Sequence, residues 1–263
     1  MKNFVVYLKI SFLLLWIFIN MPILWLISKT RVLCKWYNEM YFKVVCFILG
    51  IRVKIKSGKL ADVKNLLLVC NHNSYFDIFA LGSVLKINFV AKEDVKNWPI
   101  FGIITRLGNT VYISRDRMKA GREVNFMEKE LEKRKIPLLV FPEGTSTDGN
   151  EVLPFKSSLF AMFENHIGQK LDNQITVQPI SIAYTREGKR LINDEERHNY
   201  AWYIKEQGLV EHLINALHHT PFTMEIIIHK PIDISTGFNN RKDLALYCHN
   251  VVEKGFKELV GKK

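Results

Sequence analysis

Residues 66–77 read Leu66-Leu67-Leu68-Val69-Cys70-Asn71-His72-Asn73-Ser74-Tyr75-Phe76-Asp77. A short run that is apolar at every position, with no alternation, is the pattern of a strand covered on both faces. The polar loop after it leads into an aromatic stretch compatible with helix. Strand, loop and helix in that order are the unit from which α/β sheets are built. The same rhythm repeats outward from this stretch. Residues 87–91, 110–114, 138–141, 176–183 and 224–229 are further short apolar runs, while 118–135, 159–166 and 209–217 carry apolar residues at helical spacing. The spacing predicts an α/β domain over residues 51–263, with a largely parallel or mixed sheet flanked by helices.

The first fifty residues differ in kind. Ile10 to Ser28 contain no charged side chain, and nineteen residues are enough for a helix to cross a hydrocarbon core of about 30 Å. Asn20 and Pro22 interrupt the run, Lys2 and Lys9 precede it, and Lys29, Arg31 and Lys35 follow it. With no small-x-small site, it does not read as a cleaved signal peptide. A second apolar stretch, Trp36 to Leu49, has Glu39 and Lys43 as its charged residues. Trp16, Trp25, Trp36, Tyr37 and Tyr41 are rings that favour the headgroup depth of a bilayer. In the first run, large apolar side chains surround the whole circumference instead of forming one stripe, which disfavours a buried core helix. The expectation is a membrane-embedded helical hairpin over residues 1–50, ahead of the α/β domain.

With 263 residues, 48% of them apolar, disorder is excluded, and 37 Lys and Arg against 26 Asp and Glu leave a net charge of +11. Such an excess favours an anionic partner: nucleic acid, a phospholipid surface or a phosphorylated substrate. Six basic residues stand within positions 1–49 against Glu39 alone. They flank the apolar segments, so this charge reads as attachment to an anionic membrane surface from the cytoplasmic face. Neither an aromatic RNA-binding block nor a basic recognition helix is present, and no nucleic-acid partner is expected. Cys34, Cys46, Cys70 and Cys248 lie far apart without a matching His set, so no metal site or disulfide framework is expected.

In open α/β sheets, ligands bind outside the carboxyl ends of the strands. Three of those ends are chemically loaded: the loop with His72 and Asp77, the position of Arg115, and Phe141-Pro142-Glu143-Gly144-Thr145. Five residues apart, His72 and Asp77 would stand about 140° from each other on a regular helix, so they meet only across a turn. With Asp77 folded back on Nδ1, the other ring nitrogen is free to take a proton from an alcohol at neutral pH. For His72 alone the competing reading is a turn histidine bonded to the backbone. Arg115 offers a planar fork of donors suited to phosphate. Cys70 is not expected to act as a nucleophile.

Asn71-His72-x-x-x-x-Asp77 followed by Phe141-Pro142-Glu143-Gly144-Thr145 resembles the glycerolipid acyltransferase family, nearest its bacterial 1-acyl-sn-glycerol-3-phosphate acyltransferases. Val177-Gln178-Pro179-Ile180-Ser181-Ile182 matches a further block of that family. The resemblance implies His72 and Asp77 as the catalytic pair, with Arg115, Glu143, Gly144 and Thr145 on the acyl-acceptor side. Glu143 would accept from the acceptor hydroxyl or position Arg115. It also implies transfer of an acyl group from acyl-CoA or acyl-carrier protein to the 2-hydroxyl of 1-acyl-sn-glycerol-3-phosphate, with no cofactor. Two departures stand out. Gly108 falls one position early with Tyr112 in place of Phe, and Thr145 is followed by Ser146-Thr147 instead of Arg-Ser. The second removes a phosphate-binding cation, which Lys156 either replaces or, as a surface lysine, does not. Another lyso-lipid acceptor, such as a lyso-ornithine lipid, is therefore an open alternative. A serine hydrolase is disfavoured by the lack of G-x-S-x-G, and a non-catalytic membrane binder is the remote option.

Overall fold

The computed structural model describes residues 2–30, 34–98, 102, 105–106, 108–114, 126–127, 129–133, 136–164, 166–169, 174–204 and 207–262. Its strands are β1 (Ile51–Ser57), β2 (Leu66–Cys70), β3 (Asn88–Lys92), β4 (Val111–Ile113), β5 (Leu138–Val140), β6 (Thr176–Glu187), β7 (Arg190–Leu191) and β8 (Phe222–Ile228). Its longer helices are α1 (Lys2–Thr30), α2 (Cys34–Leu49), α3 (Phe76–Val84), α4 (Leu209–Leu217) and α5 (Arg241–Val260), with a single helical turn at Asp194–Arg197 and 3₁₀ segments at Glu93–Asn97 and Ser157–Phe163. Strand order is β1-β8-β6-β2-β5-β3-β4, with β7 paired to β6. Strands β2 to β6 are mutually parallel, whereas β8 runs antiparallel to β6 and carries β1 parallel to itself. The sheet is mixed and mostly parallel, as the spacing of apolar runs predicts.

Side-chain alternation divides the core between the two faces of this sheet. Leu66, Leu68 and Cys70 point to one side with Ile180, Ile182, Tyr184, Phe222, Met224 and Ile226, where α2, α3 and α4 cover them. Leu67 and Val69 point to the other with Val177, Ala183 and Ile227, beneath α5. Helix α5 is held at its start by the Asn240 side chain, which accepts from the amides of Lys242 and Asp243, and ends at left-handed Gly261.

The N-terminal hairpin expected from the sequence is corrected. Among the described residues one helix, α1, is long and apolar enough to cross a membrane, over Asn3–Leu26. It runs unbroken through Pro22. Its buried positions, Val6, Leu13, Asn20 and Leu24, with Ile10 and Ile17 half-buried between them, follow alternating steps of three and four and form one narrow seam. Phe4, Phe12, Leu15, Phe18, Ile19 and Trp25 face outward. Helix α2, by contrast, belongs to the body of the fold. Tyr37, Tyr41, Phe42, Val45, Cys46 and Leu49 are buried between α1 on one side and α3 and the sheet on the other. Gly82 of α3 makes this possible, because a Cβ there would come within 2.4 Å of the Phe42 ring. At the α1 seam, the Tyr37 hydroxyl donates to Asn20 Oδ1, whose amide donates to the Trp16 carbonyl at 2.7 Å. A polar pair of this kind joins apolar helices in one register.

Candidate active site

Strand β2 ends at Cys70, and the chain must turn before α3 begins. Asn71 makes the turn possible by acting as one more strand partner. Its amide donates to the Ile182 carbonyl and its Oδ1 accepts from the Ile182 amide, both at 2.9 Å. His72 then stands in the loop, and Asp77 in the first turn of α3 folds back over it. Asp77 Oδ2 accepts from the amides of Asn73 at 2.7 Å and Ser74 at 3.0 Å, and lies 2.8 Å from His72 Nδ1. A carboxylate oxygen so placed only accepts, so Nδ1 carries the proton and Nε2 of the neutral ring is the nitrogen with a free lone pair. Asp77 is fully buried, while the His72 side chain retains 21% exposure. One face of the imidazole lies on the Phe141 ring, with centroids 4.0 Å apart and planes 18° from parallel. The expected pairing across a turn is what the loop provides: an oriented, half-sheltered imidazole able to take a proton from an approaching hydroxyl.

The block 141–145 closes over this loop. Glu143 was expected to face an acceptor or Arg115; its carboxylate is buried instead and engaged by the main chain. Oε1 accepts from the His72 amide at 2.7 Å and Oε2 from the Leu153 amide at 3.0 Å. The Thr147 amide donates back to the His72 carbonyl at 3.0 Å. Both backbone groups of His72 are therefore tied to the segment 143–147. Burial pushes the Glu143 carboxyl up to about 8, against the pull of its two amide donors. The folded state thus holds this proton more tightly than the unfolded chain, so its stabilising contribution is complete below the ordinary carboxylate range and lost as pH rises through about 8. Glu143→Gln abolishes that slope. In thermal unfolding at about pH 5 and about pH 9, the stability gap between wild type and variant narrows at the higher pH; a constant gap refutes the assignment.

Gly144 adopts a left-handed φ of +67°, a backbone conformation that favours glycine, and its turn passes beneath Lys156. Lys92 Nζ donates to the Gly144 carbonyl. Lys156 is exposed beside the turn, its amide bonded to the Pro142 carbonyl at 2.9 Å, and Thr145 is exposed at the tip. Ser146, standing where the family pattern has arginine, donates its hydroxyl to the Trp202 carbonyl. Arg115 lies outside the described residues; β4, which precedes it, pairs Ile113 with Lys92. Cys70 is fully buried, and burial with the neighbouring Asp77 and Glu143 carboxylates pushes its thiol well up, so it is inert as a nucleophile.

Sequence reasoning missed Tyr184, whose hydroxyl donates to Asp77 Oδ1 at 2.6 Å. The loop is further tied by the Trp202 amide, which donates to the Asn73 carbonyl at 2.9 Å. The Tyr184 signal was the strand period: it is two residues beyond Ile182, on the face that meets α3.

The family model described as Acyltransferase matches residues 52–183. A lyso-ornithine lipid O-acyltransferase from Rhizobium meliloti (strain 1021) is 36% identical over 220 residues, covering 83% of this chain and 73% of that protein. A 1-acyl-sn-glycerol-3-phosphate acyltransferase from Neisseria gonorrhoeae is 35% identical over 126 residues, covering 48% and 47%. The crystal structure of the 1-acyl-sn-glycerophosphate (LPA) acyltransferase PlsC from Thermotoga maritima superposes with a TM-score of 0.68 at 20% identity, covering 100% of this chain and 99% of that one, and so shares the fold. With the His72–Asp77 loop and the 141–145 block brought together on that fold, and with relatives matched along most of its length, the chain belongs to the glycerolipid acyltransferase family and is a lysolipid O-acyltransferase.

Proposed function

We propose that the protein acylates the free hydroxyl of a lyso-ornithine lipid, using an acyl thioester of CoA or acyl-carrier protein as donor. His72 Nε2 takes the proton from the acceptor hydroxyl as its oxygen attacks the thioester carbonyl carbon. The tetrahedral oxyanion collapses, the C–S bond breaks, and the thiolate leaves with the proton returned from the imidazolium. Asp77 holds the ring and balances its positive charge. The 2.8 Å contact between His72 Nδ1 and Asp77 Oδ2 is the observation that carries this chemistry.

Two further observations support the acceptor. The Rhizobium relative that bears this activity in its name matches along far more of the chain than the Neisseria one. Ser146, in the place of the family's usual arginine, is directed to a main-chain carbonyl, which removes a phosphate-binding cation from the acceptor side. Gly144, Thr145 and Lys156 line the acceptor side in this reading, with Glu143 behind them, and Arg115 is assigned to acceptor binding from the sequence. Helix α1 is the membrane segment, its outward apolar faces in lipid and α2 part of the catalytic body, on the cytoplasmic face.

The test is acyl transfer by the full-length protein in lipid vesicles, with lyso-ornithine lipid, lysophosphatidate or no acceptor. kcat/KM for lyso-ornithine lipid is expected to exceed that for lysophosphatidate by about tenfold or more, a difference of about 1.4 kcal/mol. The reverse order assigns the phosphatidate-forming reaction, and thiol release without acceptor assigns a thioesterase.

A further inference from the structure

We propose that Tyr184 is the positioning residue of the His72–Asp77 pair: its hydroxyl fixes the plane of the Asp77 carboxylate and moderates that carboxylate's hold on the imidazole proton. The inference rests on the general-base reading above and adds a third member to its machinery. Strand register explains how Tyr184 arrives there. β2 and β6 run parallel with Cys70 opposite Ile180, and the Asn71 side chain continues the pairing to Ile182. One more step of the alternation puts Tyr184 on the same face, just where the loop brings Asp77 back toward the sheet.

The contact has the marks of a bond to an anion. Tyr184 Oη lies 2.6 Å from Asp77 Oδ1, within the range of hydroxyl donors to carboxylates. Both residues are fully buried, and the ring is wedged against Tyr200 and Phe222, with centroids 5.7 and 5.5 Å away. Burial pushes the phenol well above its ordinary range, so it stays protonated and acts toward Asp77 as a donor. The division of labour between the two carboxylate oxygens is informative. Oδ2 takes His72 Nδ1 and the two loop amides, while among the described residues Tyr184 alone meets Oδ1. A donor on Oδ1 prevents rotation of the carboxylate and keeps Oδ2 aimed at Nδ1. It also withdraws charge from the carboxylate, so the imidazolium is stabilised without being trapped.

Loss of the hydroxyl therefore has two consequences. The imidazole is held less well, and it becomes easier to protonate, because the full carboxylate charge now falls on it. Other ionisable groups around the pair among the described residues are Cys70 of β2, Tyr75 of the loop, Glu143 of the 141–145 block and, through Tyr75, His212 of α4. Tyr184→Phe leaves all of them in place and retains the ring packing.

The experiment compares wild type, Tyr184→Phe and His72→Ala as full-length proteins, measuring kcat, both KM values and the pH profile of kcat/KM. Tyr184→Phe is expected to keep both KM values, to lose about tenfold in kcat, and to move the acid limb of the profile up by about half a unit or more. An unmoved limb overturns the assignment, whether or not kcat or thermal stability falls, since loss of packing alone produces those effects. If His72→Ala retains the wild-type rate, the general-base reading itself fails. If it is inactive and the limb of Tyr184→Phe is unmoved, only the role of Tyr184 falls.

Discussion

His72→Ala lowers kcat by about 10²–10⁴-fold while the protein stays folded and binds both substrates. The expectation of an intact fold comes from where the bonds of this residue lie. Its amide is held by Glu143 and its carbonyl by the Thr147 amide, and alanine retains both. What the substitution removes is the ring: the Nδ1 bond to Asp77 and the stacking on Phe141. Asp77 keeps three donors, from Asn73, Ser74 and Tyr184. Thermal unfolding should therefore shift little, and kinetic loss is separable from misfolding. Single-turnover acyl transfer is the direct measurement, and a wild-type rate in a folded His72→Ala protein would sink the general-base assignment.

Asp77→Asn gives the second large effect, and it isolates charge from geometry. The amide oxygen can occupy the place of Oδ2 and accept from Asn73, Ser74 and His72, while the new NH₂ donates to the Tyr184 hydroxyl, which then turns to accept. The loop survives, but the negative charge beside the imidazolium does not. At about 4 Å and an effective dielectric of about 20, that charge is worth on the order of 4 kcal/mol, equivalent to about a 10³-fold fall in kcat. The same loss makes the imidazole harder to protonate, so the acid limb of kcat/KM moves down, opposite to its movement in Tyr184→Phe. A folded Asp77→Asn protein with wild-type kcat would show that the carboxylate only shapes the loop.

Local pattern made much of the fold legible. The run Leu66–Cys70 is apolar at every position because both of its faces are covered, and α4 occupies the residues that its helical spacing predicts, Leu209–Leu217. Elsewhere the pattern misled or was silent. Residues 159–166 carry helical spacing but form 3₁₀ structure over Ser157–Phe163. Strand β1 alternates Ile51, Val53 and Ile55 with Arg52, Lys54 and Lys56 because it is an edge strand, paired among the described residues with β8 alone. Strand β6 continues to Glu187, four residues beyond its apolar run, since its far end is paired with β7 and β8. The N-terminal error has a physical cause as well. α1 and α2 are both rich in large apolar side chains, and composition cannot tell a helix that faces lipid from one enclosed by neighbours.

The His72–Asp77 pair and the 141–145 block were readable because their chemistry is local: at five residues apart His72 and Asp77 can meet only across a turn, and Pro142 and Gly144 announce a turn of their own. Glu143 shows where such reading stops. An acid in a turn beside a basic site reads as a ligand for substrate, yet its two oxygens are engaged by amides of residues 72 and 153, which only the packing of one loop on another brings within reach. Tyr184 lies 107 residues from Asp77 and meets it only through the register of β6 on β2. The sequence by itself determined the strand–loop–helix unit, the pairing of a histidine with an aspartate within it and the apolar N-terminal helix, because each depends on side chains within a few turns of one another. Only the tertiary structure decided that α2 is part of the body, that Glu143 is engaged by two backbone amides and that the Tyr184 hydroxyl reaches Asp77. Those roles depend on which buried groups find partners across the sheet, and a buried polar group takes its role from the partner that satisfies it.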